Sequence, residues 1–397
     1  AEKIDDWQNR KLRKLINYAY QNTVYYKELF DKLKIRPEDI QTKDDLTKIP
    51  ILTRQIIIEN FEKLVSKKAN SIPHIEAKTG GTTGTPMTYL LDKSSWSFSN
   101  ADYIVNWERT DYNFGDKHVT LGGSSLFGAN PRSLKHKIYY SLKGRIKLDG
   151  MHLSDELLKE YADIISKKKI KYIYGYASSI YLLAKYSLKN NRALKIKACF
   201  PTSEILTDNY RKTIMEAFDC KIVNCYGAND GGITAFEHNK GNFEVGYNVI
   251  MKVKEDQSKG PILLTNLLNY AMPMINYQLG DEVKATENSD GYNGQTMAEV
   301  YGRTPDIIRL DNGNVLTGFS FYERIFDLPV KAWNLEKKDG RTLVCKIIKQ
   351  EGFDIDAERM LISKLKEYAG EDVDIEVNYF DKFELTSSGK RNYYMNV

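Results

Sequence analysis

The sequence predicts an α/β protein. Residues 1–309 would form a large N-terminal domain with a parallel sheet and covering helices, and residues 310–397 a small α+β domain. Three observations predict this. Helical and strand periodicities alternate between residues 154 and 225, the strands of that stretch run out into glycine and polar residues, and the pattern changes near Leu310.

The first stretch has helical spacing, with Trp7, Leu12, Leu15, Ile16 and Ala19 on one face and Arg10, Lys11, Arg13 and Lys14 mostly on the other. Core packing with a solvated outer face explains such a helix better than a membrane or nucleic-acid surface does. Thr42 and Asp45 have the spacing of a capping box that opens a short helix, which Pro50 ends.

The middle of the chain reads as helix 154–165 with Ser154 as N-cap, strand 171–174, helix 179–188, strand 195–200, helix 207–218 and strand 221–225. Repeated β-α-β units imply parallel strands, and ligands of open α/β sheets bind beyond the strands' carboxyl ends. Those ends carry Gly175-Tyr176-Ala177-Ser178, Thr202-Ser203-Glu204 and Tyr226-Gly227-Ala228-Asn229-Asp230. Each alone is an ordinary turn or cap; together they favour one cleft.

Beyond Arg309-Leu310-Asp311-Asn312-Gly313, a polar stretch suited to a hinge, a helix is expected over 319–326. A hairpin turning at Asp339-Gly340 follows, between strands 330–335 and 342–348, then a helix over 356–368 and a strand over 373–379.

Composition bounds the function. In 397 residues, 58 Lys and Arg against 53 Asp and Glu give a formal charge of +5, too small and too dispersed to indicate nucleic acid. No window reaches the length of a membrane span, and the N-terminus lacks the apolar run of a signal peptide, so a cytoplasmic protein is expected. Cys199, Cys220, Cys225 and Cys345 lack C-x-x-C spacing and read as buried thiols; Cys220, Cys225 and His238 lack the paired spacing of zinc ligands. The sequence admits a homodimer without arguing for one.

Thr79-Gly80-Gly81-Thr82-Thr83-Gly84-Thr85-Pro86 is the most conspicuous chemical motif. Its glycines let backbone N–H groups approach phosphate oxygens, and its threonines add donors. No Lys-Ser or Lys-Thr follows Gly84, so it is not a Walker A loop, which argues against a phosphotransferase.

With this motif the chain resembles the adenylate-forming ligases, in the branch of the phenylacetate–CoA ligases and the capsule-biosynthesis CapK-like proteins. The family's adenine-side motif resembles residues 226–230, and its ribose motif resembles Asn276-Tyr277-Gln278-Leu279-Gly280-Asp281. Its Gly-Arg motif resembles Gly302-Arg303-Thr304-Pro305-Asp306, and its C-terminal lysine motif Ser387-Ser388-Gly389-Lys390-Arg391. The run from Leu12 to Arg54, with Ile49-Pro50-Ile51-Leu52-Thr53, also looks like this branch. The motifs stand in the family's order over nearly the whole chain.

The resemblance implies ATP bound by Thr79, Gly80, Gly81, Thr82, Thr83, Gly84, Ser203, Glu204, Tyr226, Gly227, Asn229, Asp281 and Arg303, with Tyr226 offering a flat face to adenine and Asp281 accepting from ribose hydroxyls. It implies Mg²⁺ at Asp230 and a catalytic Lys390 that bridges the reacting carboxylate and the α-phosphate, carried on a small mobile C-terminal domain. On composition alone Lys390 reads as a solvated residue near the end of the chain. The partners implied are a carboxylic acid and an acceptor, either the thiol of coenzyme A or an amine. Residues 121–125 and 175–178 are candidates for the acyl pocket.

Three departures from the family stand out. Asp230 replaces the usual Glu, Asn276 replaces an Arg that often precedes the ribose-motif tyrosine, and residues 235–239 hold no cysteine, so no zinc is expected. Asp230 and Asn276 also keep open a nucleotide-binding homologue that no longer catalyses.

Overall fold

The computed structural model describes residues 2–79, 87–123, 126, 144–150, 153–254, 259–286, 294–303, 307–311, 315–317, 325, 328–339, 341–384 and 394–395. Its contacts divide the chain into two units: Ala1–Arg109 with Val223–Val300, and Thr110–Ile222 with Tyr301–Val397.

The second unit holds the alternating stretch. Strands Arg145–Asp149, His118–Gly122, Tyr172–Tyr176, Ala198–Thr202 and Lys221–Ile222 lie side by side in that order, all parallel. Helices Asp155–Lys167, Ala177–Lys189 and Asp208–Phe218 connect them, as crossovers between parallel strands require. The cap expected at Ser154 forms, its Oγ accepting from Leu157 N at 3.3 Å, and Thr207, expected as the first helical residue, is also a cap, its Oγ1 accepting from Tyr210 N at 3.0 Å. Gly175 is obligatory in its strand, because a Cβ there would stand 2.1 Å from the Leu121 carbonyl oxygen.

A smaller sheet in the same unit has the order Asp374–Tyr379, Thr342–Lys349, Val330–Lys337, Tyr394–Met395. Val330–Lys337 and Thr342–Lys349 form the expected hairpin, with Asp339 Oδ1 accepting from Arg341 N and Thr342 N at 2.9 and 2.8 Å. Helix Ile355–Ala369 then crosses over to place Asp374–Tyr379 parallel to Thr342–Lys349. Trp333, Cys345, Ile347, Leu361 and Leu365 are fully buried here. Of the helix expected over 319–326, only residue 325 falls among the described residues.

The first unit departs from the sequence reading, because its strands are antiparallel. They run in the order Val249–Val253, Lys259–Asn266, Tyr277–Thr286, Thr296–Arg303, Asn242–Val245, Ile233–Asn239, Asn224–Ala228. Short reversals suffice for antiparallel neighbours, and no helix separates them among the described residues. The strand expected over 221–225 is two strands broken at Val223, because Asn224–Ala228 pairs antiparallel with Ile233–Asn239 through the turn at 229–232. Thr42 and Asp45 do form a capping box, on a 3-10 helix, Lys43–Lys48.

The N-terminal helix Glu2–Asn22 buries Leu12, Leu15, Ile16 and Ala19 in this unit's core. Gln8 Nε2 donates to the Val249 and Tyr247 carbonyls at 2.8 and 3.0 Å, and Tyr26 Oη accepts from Ile275 N at 3.0 Å while donating to Pro273 O at 3.2 Å. The N-terminal helices thereby brace the segment that leads into residues 276–281.

Candidate functional site

The ribose-like motif begins at a backbone reversal. Asn276 is buried in the left-handed region, with φ of 55°, a conformation that asparagine tolerates better than most residues. Its side-chain amide donates to Ile49 O at 2.7 Å, and its N–H donates to Thr265 Oγ1 at 3.0 Å. Leu52 N donates to Asn276 O at 3.0 Å and Gln278 N to Leu52 O at 2.9 Å, so residues 49–52 are stitched along the start of strand Tyr277–Thr286. Asn276 thus fastens one segment to another.

From that frame two tyrosines cross between motifs. Tyr226 donates to Asp281 Oδ2 at 2.6 Å, and Tyr277 donates to Asp230 Oδ2 at 2.9 Å. Each motif therefore supplies the hydroxyl that holds the other motif's carboxylate. Tyr277 is buried, and burial, ahead of the charge of Asp230 and the hydrogen bond to it, raises its pKa; nearby Arg54 acts the other way. The phenol stays protonated and remains a donor. Asp230 also contributes to raising the pKa of Tyr89, after burial.

Thr79 closes the base of the glycine motif. Thr79 N donates to Met87 O at 2.9 Å, and Thr79 Oγ1 accepts from Met87 N at 3.2 Å and from Arg54 Nη1 at 2.7 Å. Gly80, Gly81, Thr82, Thr83 and Gly84 lie outside the described residues. Arg54, the first residue of helix Arg54–Glu59, is the residue that sequence reasoning ended a run on without giving it a role. Its partner Thr79 is 25 residues away, so no local sequence signal singles it out.

In the second unit, Ser203 is exposed with φ of 66° just after strand Ala198–Thr202. Glu204 Oε2 accepts from Ser178 N at 2.8 Å, a carboxylate at the N-terminal end of helix Ala177–Lys189, where the helix dipole favours it. Arg303 ends strand Thr296–Arg303. Lys390 lies outside the described residues, as do Ser124 and Ser125 of the candidate acyl pocket.

Gly227 and Asn229 are exposed beside the crossed pair. A Cβ on Gly227 would come within 3.1 Å of Tyr103 Oη, and Tyr103 stacks edge-on to Phe236 at 4.9 Å, which fixes the backbone under Tyr226. Among the described residues no three His, Cys, Asp or Glu side chains form a metal cluster. Cys225 Sγ donates to Val223 O at 3.3 Å, and Cys220 lies 3.7 Å from Cys199 with both buried. No helix among the described residues is long and apolar enough to cross a membrane.

No protein-family profile matches the chain. It is 26% identical to protein CapK of Staphylococcus aureus over 408 residues, covering 98% of this chain and 88% of that protein. It is 22% identical to a phenylacetate-coenzyme A ligase of Thermus thermophilus over 344 residues, 79% of this chain and 73% of that one. Among solved structures, a 2-hydroxyisobutyryl-CoA ligase in its postadenylation state superposes with a TM-score of 0.73 at 14% identity, covering 98% and 89% of the two chains. ATP-bound MatB of Rhodopseudomonas palustris gives 0.56 at 12%, covering 79% and 65%. At these identities the solved structures speak for the fold. The chain is thus similar over nearly its whole length to CapK and over most of it to a phenylacetate-coenzyme A ligase, and it shares the fold of solved CoA ligases.

Proposed function

We propose that this protein is an ATP-dependent, AMP-forming ligase that activates a carboxylic acid as its acyl-adenylate and transfers the acyl group to a thiol, that of coenzyme A. The observation that carries the reading is the crossed pair Tyr226–Asp281 and Tyr277–Asp230, which ties together the two motifs that the resemblance assigns to adenosine and metal. The relatives support it: one is a phenylacetate-coenzyme A ligase, and the solved neighbours include a CoA ligase with a bound acyl-adenylate.

In the first step a carboxylate oxygen attacks the α-phosphorus of ATP, forming the acyl–O–P bond as the bond to the bridging oxygen breaks and pyrophosphate leaves. In the second, the acceptor's sulfur attacks the acyl carbon and AMP departs. Two anions must meet in the first step, so the site has to offset repulsion. Backbone amides of residues 79–84, the Arg54 guanidinium and Lys390 are the groups assigned to that task, with Ser203, Glu204, Asn229 and Arg303 completing the nucleotide contacts. Asp230 fits Mg²⁺: it is a single carboxylate with one oxygen steadied by Tyr277, and Mg²⁺ takes few protein carboxylates beside water and phosphate oxygens. When bound, the ion would neutralise phosphate charge.

ATP–pyrophosphate exchange with a panel of carboxylic acids tests the first step. Exchange should be lost in Lys390→Ala and kept in Arg391→Ala; ATP binding without exchange for any acid would favour the inert homologue instead. One observation favours a different acceptor. The match to CapK spans 98% of the chain against 79% for the ligase of Thermus thermophilus, and an amine acceptor would fit a CapK-like role. Trapping the adenylate with coenzyme A or with amino sugars separates thioester from amide product.

A further inference from the structure

The geometry points to the Tyr226 hydroxyl as the group that makes this site select ribonucleotides, acting through Asp281. The inference rests on the nucleotide reading above and adds to it a positioning residue and a specificity. The contact is Tyr226 Oη to Asp281 Oδ2 at 2.6 Å, within the short range of O–H···O⁻ bonds to an ionised acceptor. Asp281 is half-buried on its strand, and Tyr226 restrains its side chain by holding one carboxylate oxygen.

The tyrosine is itself held. Its strand pairs in register with Ala235, and the backbone of Gly227 rests against Tyr103, whose ring is edge-on to both Phe236 and Trp107. A carboxylate pinned at Oδ2 keeps the lone pairs of Oδ1 for sugar hydroxyls in one orientation. A carboxylate free to rotate would accept equally well from water, and a missing sugar hydroxyl would matter less. The aromatic face and the hydroxyl of Tyr226 therefore do separable things: the face meets the base, and the hydroxyl sets how the sugar is read.

The test is calorimetric binding of ATP, 2′-deoxy-ATP and 3′-deoxy-ATP, with Mg²⁺ and without any acid, to the wild type, Tyr226→Phe and Asp281→Asn. The wild type should prefer ATP over at least one deoxynucleotide by about tenfold or more, the size expected for a hydrogen bond to a charged group. Tyr226→Phe keeps the flat ring and should compress that preference several-fold toward one. Tyr226→Phe/Asp281→Asn should be no less selective than Asp281→Asn alone. Should Tyr226→Phe fail to fold, Tyr226→Trp gives the same readout. A Tyr226→Phe protein that keeps the full preference overturns the inference and leaves the nucleotide site standing. A folded wild type that binds no ATP overturns the nucleotide reading, and this inference with it.

Discussion

The hydroxyl of Tyr277 donates to Asp230 Oδ2 at 2.9 Å, joining the first residue of one strand to a turn 47 residues earlier in the chain. Aspartate has one methylene fewer than glutamate. A short carboxylate has less reach, and a donor behind it fixes where that reach is directed. Tyr277 and Asp230 should therefore act as a unit.

Removing the donor should then hurt only the aspartate. Tyr277→Phe is expected to weaken the Mg²⁺ dependence of ATP binding by about tenfold in the wild-type background, as loss of a hydrogen bond to a charged group typically does. In an Asp230→Glu background, where the arm is longer, the same change should matter several-fold less. Titrating Mg²⁺ against ATP binding in the four proteins of this cycle gives the coupling. Equal losses in both backgrounds would show that Tyr277 serves the fold and not the carboxylate.

Arg54 supplies a second test. Its guanidinium donates to Thr79 Oγ1 at 2.7 Å, at the base of the glycine motif, and its charge is felt by Tyr277. Arg54→Ala should lower ATP affinity by about tenfold or more while leaving AMP affinity nearly unchanged, because only ATP carries β- and γ-phosphates for a cation there to meet. Arg54→Lys should recover part of the loss, since it keeps the charge without the planar fork. Parallel loss of ATP and AMP binding would place Arg54 in general folding instead.

How much of this is written locally decides what a reader of the sequence can see. Ser154 announces its helix because a hydroxyl cap needs only the next few residues, and that cap forms. The parallel half was legible for the same reason: each strand and helix carries its own periodicity. The antiparallel half was not, since its identity lies in which strand pairs with which, and Asn224–Ala228 reads as apolar whether it extends one strand or begins another. The crossed hydrogen bonds are hidden more deeply. Tyr226 and Asp281 are 55 positions apart, and each looks like a common residue until the sheet brings them together. Arg54 lay within a recognised run yet drew no role, because its partner Thr79 is 25 residues away.

Acid and base titrations should pull stability in opposite directions at one buried cluster. Burial raises the Asp102 carboxyl to about 6, with Glu244 adding to the rise and the Thr234 hydroxyl opposing it. Burial, then the charge of Arg109, lowers His238 to about 4, with Glu244 opposing. The two are linked through Asn106, whose Oδ1 lies 2.8 Å from His238 Nε2 and whose Nδ2 lies 3.2 Å from Asp102 Oδ1. The folded state thus favours neutral Asp102, a contribution complete below its unfolded value near 4 and lost as pH rises through about 6. It also favours neutral His238, a contribution present above about 6.5 and lost as pH falls through about 4. Melting temperatures from pH 4.5 to 7 should therefore fall with rising pH in His238→Gln and with falling pH in Asp102→Asn. Slopes of the same sign in both variants would refute the assignment.

Asn276 shows how a residue can leave the chemistry and keep the site. Two demands meet there: a left-handed backbone with φ of 55°, and a buried amide donating to Ile49 O at 2.7 Å. Alanine meets neither. The left-handed conformation costs a residue with a Cβ about 1–2 kcal/mol, and stranding a buried carbonyl costs about 1–3 kcal/mol. Asn276→Ala should then lose about 2–5 kcal/mol in urea unfolding. Asn276→Gly relieves the backbone but not the carbonyl, so it should lose less despite its smaller side chain. Because Leu52 is hydrogen-bonded to the same backbone, the alanine variant should also loosen residues 49–54 and carry Arg54 away from Thr79. ATP affinity should accordingly follow stability through this series, wild type above glycine above alanine. An alanine variant as stable as the glycine one would mean that the backbone at 276 is not held left-handed, and that the clamp on Arg54 is elsewhere.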